Sequence, residues 1–272
     1  MGTRAIVSRR RALVRFGLVA AVVTVAGFDG GVFAQGASPT GPAPAGLDIP
    51  LTIHDVAGVE RTREVCSTGV PLPCGLLKAP AGIAVYDAAG KPVPAQFRVL
   101  ERWREGGLGA SDLSVKWLLV TFLADVPRGG KAVYRLKAGT NPAPVKPVKV
   151  EETADAFRMG GLTFARDFSG PFQLVLTDPD GKTLTAADLP VTWRVWENGP
   201  VRACLKAETP TVPGQFGFIA WIYAYTGQRR WDLTVVLKNT PNTPRGPFYF
   251  KDFSVVWGPP ELKGARDYML GG

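Results

Sequence analysis

Beyond residue 35 no stretch of twelve residues repeats its apolar positions every 3.6 residues, which excludes folds built mainly on helices. The chain instead offers short runs in which apolar and polar residues alternate. They are LTIHDV (51–56), GIAVYD (82–87), AQFRVLERW (95–103), SVKWLLVTFLADV (114–126) and AVYRLKA (132–138), separated by turn residues such as Ala88-Ala89-Gly90-Lys91. Alternation with a period of two puts successive side chains on opposite faces of a strand. The expected fold class is all-β. Five or six short strands in some ninety residues suit a small barrel or compact sandwich.

Residues 138–152, AGTNPAPVKPVKVEE, hold three of the prolines in a polar setting and read as a boundary. After it the runs lengthen and come as hairpins: AFRMGGLTFARD (156–167), FQLVLTDPDGKTL (172–184), VTWRVWENGPVRACLKAET (191–209), GFIAWIYAYTGQRRWDLTVVLKN (217–239) and FKDFSVVWG (250–258). Asp180-Gly181 and Asn198-Gly199 are turn dipeptides between apolar runs, a strong local hairpin signal. Long antiparallel hairpins with one buried face make a β-sandwich the expectation here. With ELKGARDYMLGG (261–272) showing no closing strand, the sandwich reads as incomplete.

The front of the chain has a different composition. Five arginines precede residue 16 and the first acid is Asp29; an apolar run follows from Phe16 to Ala26, then Val32-Phe33-Ala34 before Gln35. A basic region, a short apolar run and a small residue at the junction predict a signal peptide over 1–34, cleaved between Ala34 and Gln35. The run is shorter than the roughly 20 residues a membrane helix needs, so no stable membrane span is expected once the signal is gone. Ser8-Arg9-Arg10-Arg11-Ala12-Leu13 resembles a twin-arginine signal, with the ordinary secretory route as the alternative. Both routes predict a periplasmic or secreted bacterial protein. Residues 35–48, rich in proline and glycine, predict a disordered linker.

Residues 1–34 carry a net +4 of the formal +9, which leaves +5 spread without a run of five like charges. No nucleic-acid stripe results. An acidic polysaccharide is a compatible partner. Cys66 and Cys74 bracket CSTGVPLPC, a segment read as a loop, so either a local disulfide or two thiols fits, with Cys204 in a buried strand. With His54 as the one histidine and no Cys-x-x-Cys spacing, neither a metal site nor a cofactor is predicted.

Alternation in AQFRVLERW places Phe97, Val99 and Trp103 toward the core and Gln96, Arg98 and Arg102 on the wet face. In the next run Val115, Trp117 and Leu119 share one face while Leu118, Val120 and Phe122 are apolar too, so that strand is expected to be covered on both sides. Trp103 and Trp117 then read as core, and Lys116 and Arg98 as solvated. The insert REGGLGASD (104–112) is long for a hairpin loop and is the first place to look for a ligand contact, with Asp112 and Lys116 as a weak ion pair. Arg202 and Lys206 alternate with Val201, Ala203 and Leu205 and read as a solvated face.

Four segments, REVCSTGVPLPCGLL (63–77), DAAGKPVPAQFRVLERW (87–103), SVKWLLVTFLADVPRGGKAVYRL (114–136) and ENGPVRACLKAE (197–208), resemble the N-terminal part of exo-rhamnogalacturonan lyase-like proteins. The family's W-x-D-G-S-x-K-W pattern is recognisable around Trp103 and Lys116, broken by the insert so that Ser111-Asp112-Leu113 precedes Ser114. The resemblance implies a RIFT-type β-barrel over 49–139, a linker over 140–150 and a central β-sandwich over 151–272. It also implies a C-terminal α/α toroid that this sequence does not contain and on which the lyase site depends.

No catalytic residue is therefore assigned. β-Elimination from a uronate needs a base for the C5 proton and a cation for the carboxylate. Among the residue types able to serve, Tyr223 or Tyr225 with Arg229 would be the minimal pair, and His54 lacks a partner in sequence. The ligand-contact candidates are Arg98, Trp103, Lys116, Tyr225 and Arg229. The expected function is the non-catalytic β-portion of an exported rhamnogalacturonan lyase-like protein acting in pectin or polysaccharide degradation. The alternative is a stand-alone exported carbohydrate-binding or adaptor protein.

Overall fold

The computed structural model describes residues 46–103, 114–212, 216–239 and 250–257. The signal-like segment with its Ala34–Gln35 junction, the linker up to residue 45, the insert from Arg104 to Leu113 with Asp112, and the residues from 258 onward lie outside the described residues. The described chain is all-β; apart from a single 3-10 turn at Ala186–Asp188 it contains strands and their connections. No helix of the described residues is long and apolar enough to cross a membrane.

The first half contains β1 (Asp48–His54), β2 (Arg61–Pro71), β3 (Ile83–Tyr86), β4 (Pro92–Val93), β5 (Ala95–Arg102), β6 (Val115–Val126) and β7 (Lys131–Ala138). They form two antiparallel sheets, β1-β7-β3-β4 and β2-β6-β5. Pro94 lies between β4 and β5, and there the chain passes from one sheet to the other. The ring implied by the barrel resemblance is thus open, because β1 and β2 do not pair. Pro50 and Pro71 stand on the two facing rims, and a proline offers no donor for a ladder. A bulge between Arg61 and Glu64, with Arg63 at a φ of 51°, further twists β2 away.

Phe97, Val99, Leu118, Val120 and Phe122 line the interior between these sheets with Leu51, Ile83, Val85, Tyr134 and Leu136. Each large side chain buried there stabilises the fold by roughly 1.5–3 kcal/mol. The loop expected over 66–74 is a correction: β2 runs through Cys66 as far as Pro71, and its residues pair with β6 from Val126 back to Trp117. Cys66 faces Phe122 across that ladder, whereas Cys74 lies beyond the strand, where its sulfur meets Ser114 Oγ at 3.9 Å. Extending the strand separates the two positions, and no disulfide joins them.

The second half contains β8 (Val150–Glu152), β9 (Ala156–Met159), β10 (Leu162–Ala165), β11 (Phe172–Thr177), β12 (Thr183–Thr185), β13 (Thr192–Asn198), β14 (Arg202–Glu208), β15 (Phe216–Tyr225), β16 (Trp231–Asn239) and β17 (Asp252–Trp257). Three antiparallel sheets result: β10-β9-β8, β12-β11-β17 and β13-β14-β15-β16. They enclose a separate core that includes Phe157, Phe164, Phe168, Phe172, Trp193 and Phe218. Phe168 stacks on Trp193 at 4.8 Å, and Phe218 meets Phe168 edge-on. Met159 and Leu162 pair directly across Gly160-Gly161, whose φ values of 58° and 82° are those a two-residue hairpin turn requires. The two cores abut where β2 and β5 meet the end of β13, the start of β14 and the turn after β15, and that contact shapes the surface described next.

Candidate functional site

β14 and β15 sort their side chains strictly by alternation. Ala203, Leu205, Ala207, Phe218, Ala220, Ile222 and Ala224 point into the second core. Arg202, Cys204, Lys206 and Glu208 therefore share the opposite face with Trp221, Tyr223 and Tyr225, since Arg202 pairs with Tyr225, Cys204 with Tyr223 and Lys206 with Trp221. A bulge in β13 between Val195 and Glu197 inserts Trp196, which is left 36% exposed at the edge of that face.

Lys206 occupies the middle of this surface. Its ammonium lies 5.1 Å from the Trp196 ring centre and 5.7 Å from that of Trp221, within cation–π range of both, and 2.5 Å from Glu208 Oε2. Its side chain is only 12% exposed. Lys238 donates to the other oxygen of Glu208 at 2.8 Å. Burial opposes ionisation of Glu208, but hydrogen bonds from Lys206 and Lys238 outweigh it and hold the carboxyl below its usual range.

Arg202 is held by Glu197, Nη2 to Oε2 at 2.8 Å and Nε to Oε2 at 3.2 Å, with its guanidinium 5.1 Å over the Tyr223 ring. The expected solvated face of Arg202 and Lys206 is thus a correction. Alternation assigned the face, but flanking indoles, the buried Glu197 and the half-buried Glu208 cover it.

The first core closes one end of this surface. Gln96, expected on the wet face of β5, is 3% exposed because its carboxamide enters the turn after β13. Nε2 donates to Glu197 Oε1 at 2.5 Å, and Oε1 accepts from the backbone N–H groups of Val201 and Arg202 at 3.1 and 3.0 Å. Two residues further along β5, the Arg98 guanidinium sits 5.8 Å from the Trp196 ring centre. Along β2, Ser67 Oγ accepts from Arg202 Nη1 and Glu64 accepts from Arg230 at 2.6 Å.

Of the candidates read from sequence, the structure brings Arg98 and Tyr225 to this surface. Trp103 and Lys116 form a separate pair, 5.0 Å from ring centre to ammonium, with Trp103 Nε1 donating to the Leu72 carbonyl. Trp103 is half-buried rather than core, and Lys116 lies in an irregular stretch of the β5–β6 ladder, where Glu101 and Arg102 pair with Trp117 and Val115. Tyr225 is 9% exposed, donates to Asp232 Oδ2 at 2.5 Å and lies under Arg230. Arg229 is exposed in the turn between β15 and β16.

Burial, and then the hydrogen bond to Asp232, pushes the Tyr225 phenol well above its usual value; burial beside Cys204 does the same to Tyr223. Neither phenol is suited to take a proton at neutral pH. Burial pushes the Cys204 thiol up to about 12, which makes it a poor nucleophile. Among the described residues no group of three His, Cys, Asp or Glu side chains could hold a metal ion.

Trp117, expected in the core, is 40% exposed. It shares with Leu119 the side of β6 that faces away from the first core, and Leu119 pairs with Arg98. Its ring lies against Gly69 of β2, where even a Cβ would be only 3.6 Å away. Trp117 and Trp196 are the aromatic residues that sequence reasoning missed. Both faces of β6 are apolar, and a bulge has no reliable sequence signature.

Two grooves lie elsewhere. One of about 540 Å³ follows the gap between β1 and β2, and one of about 460 Å³ is lined by Tyr86, Asp87, Val133, Arg135 and Lys137. In the second, Asp48 pairs with Arg135 at 2.6 Å and neutralises part of its charge.

No protein-family description matches the chain, and no curated protein matches it. Among solved structures, an α-mannosidase from Enterococcus faecalis V583 is similar at 14% identity and a TM-score of 0.46, over 79% of this chain and 32% of that one. A protein of glycosyl hydrolase family 38 from Enterococcus faecalis is similar at 15% identity and a TM-score of 0.47, again over 79% and 32%. The chain spans about a third of the length of these proteins.

Proposed function

We propose that this chain is the polysaccharide-contacting, non-catalytic β-portion of an exported rhamnogalacturonan lyase-like protein, and that it binds an acidic glycan through the surface around Trp196, Lys206 and Trp221. The observation that carries the reading is one lysine shared by two indole rings, with a second cation, Arg98, on the exposed indole. Pyranose rings present C–H faces that pack on aromatic faces, and a uronate carboxylate adds a charge that arginine and lysine recognise. Among the described residues Arg98 has no acidic partner, and its Nε is buried without a hydrogen bond. The segments that resemble the lyase-like family point to the same class of ligand.

The elevated phenols of Tyr223 and Tyr225 argue against turnover by this surface, because elimination needs a base that is available near neutral pH. The test uses the purified protein with rhamnogalacturonan and with a neutral glucan, measuring retention by affinity electrophoresis and release of unsaturated uronate by absorbance. Saturable retention by the acidic polymer without absorbance growth is the expected result. Turnover would overturn the non-catalytic reading, and equal mobility in both polymers would overturn the ligand assignment.

A further inference from the structure

We propose that the glycan-contact surface is composite, and that Gln96 is its positioning residue: lodged in the turn that joins β13 to β14, it keeps Arg98 of the first core over Trp196 of the second. The inference rests on the reading of that surface as a binding site. Four residues in two adjacent pairs make the case. Gln96 and Arg98 lie on one side of β5, two residues and hence roughly 7 Å apart, and Glu197 and Trp196 are neighbours in the β13 bulge. Gln96 meets Glu197, and Arg98 meets Trp196. Fixing the first contact therefore fixes the root of the second.

The socket is selective for this side chain. The carboxamide satisfies one carboxylate oxygen and two backbone N–H groups at once, which needs a donor and an acceptor on the same terminus. Gly199 leaves the room, since a Cβ there would fall 2.0–2.4 Å from the carboxamide atoms of Gln96. The other links across the junction, from Arg202 to Ser67, from Arg230 to Glu64 and from Gln228 Nε2 to the Arg63 carbonyl, are exposed and run along β2. They hold the halves together at the far edge of the sheet, two strands from β5.

The test compares wild type with Q96E, Q96A and G199A in the full chain, using tetragalacturonate as the probe. Binding is followed calorimetrically, and separation of the cores is followed near neutral pH by the rate of tryptic cleavage after Lys149, between them. Gln96→Glu keeps the acceptor for Val201 and Arg202 but sets a second carboxylate against Glu197. The charged groups facing that position are Glu197 and Arg202, while Ser67 and Thr121 on its own sheet are uncharged.

Near neutral pH, Q96E is expected to bind about tenfold more weakly, the weight of one lost charge-assisted hydrogen bond, and to be cleaved faster. As the pH falls toward the usual glutamate range of roughly 4–5, protonation of the introduced carboxyl restores a donor toward Glu197, and binding returns toward that of wild type measured at the same pH. Q96A and G199A lose binding without that recovery. Wild-type binding with an unaffected Q96E would overturn the positioning role and leave the proposed function standing. Absence of wild-type binding would overturn both, whatever the cleavage rates.

Discussion

Gln96 Nε2 donates to Glu197 Oε1 at 2.5 Å, so a carboxylate of the second core is shared between its own Arg202 and a side chain of the first. Glu197 is 4% exposed and Arg202 12% in their side chains. Charges so placed depend on each other, because removing one leaves the other desolvated and unpaired. Glu197→Ala is expected to destabilise the protein by about 3 kcal/mol, read as a lower midpoint in urea unfolding. A loss below about 1 kcal/mol would mean that the pair behaves as an exposed one.

Trp196→Ala and Trp221→Ala remove the rings that flank Lys206 and are expected to weaken glycan retention about tenfold or more. Lys206→Met keeps the packing and removes the charge. It should lower affinity for the acidic polymer, leave any weak affinity for a neutral one unchanged, and flatten the salt dependence expected of wild type. Equal losses for both polymers would show that the lysine acts through packing alone.

Trp117 separates the two readings of β6. A tryptophan in the core would cost roughly 3–5 kcal/mol on truncation to alanine. An exposed one resting on Gly69 is expected to cost less than about 1 kcal/mol, because much of its surface stays in water. Thermal unfolding of W117A decides this, and a drop of core size would return Trp117 to the interior.

The hairpins of the second half were legible because turn chemistry and strand period agree there. Asp180-Gly181 closes β11 onto β12 with Gly181 at a φ of 87°, and Asn198-Gly199 precedes β14 as expected. β2 was not legible, because the glycine and prolines of CSTGVPLPC are the residues of a loop, yet Pro71 is tolerated on an edge strand and Gly69 pairs in the ladder beside the Trp117 ring. The faces of β14 and β15 could be read from alternation. What covers each face could not. Gln96, Arg202 and Lys206 are polar residues in wet-looking positions, and only the contact between the cores and the β13 bulge take them out of water. Arg98 was picked out by residue type, and its partner Trp196 comes from about a hundred residues away.

Glu208 gives a dependence on acidity with a definite sign. Its folded carboxyl titrates below the ordinary value of 4.5, since the pull of Lys206 and Lys238 exceeds the penalty of burial. A depressed folded value means that the ionised acid stabilises the fold above the ordinary value, and that this contribution is lost as pH falls through the folded one. The stability difference between wild type and E208Q is therefore expected to be present near neutral pH and to shrink in acid below about 4.5. Denaturant midpoints at a series of pH values measure it, and a difference that grew on acidification would contradict the ion pairs seen here.

The open seam of the first core has a consequence for how molecules of this protein meet. β1 and β2 each end their sheet with one rim of unsatisfied backbone, the kind of margin onto which a stray strand from another copy can crystallise into a stack. Pro50 and Pro71 interrupt both margins. Replacing them with valine would give each rim a further backbone donor, and turbidity of a concentrated preparation is expected to rise as fibres form.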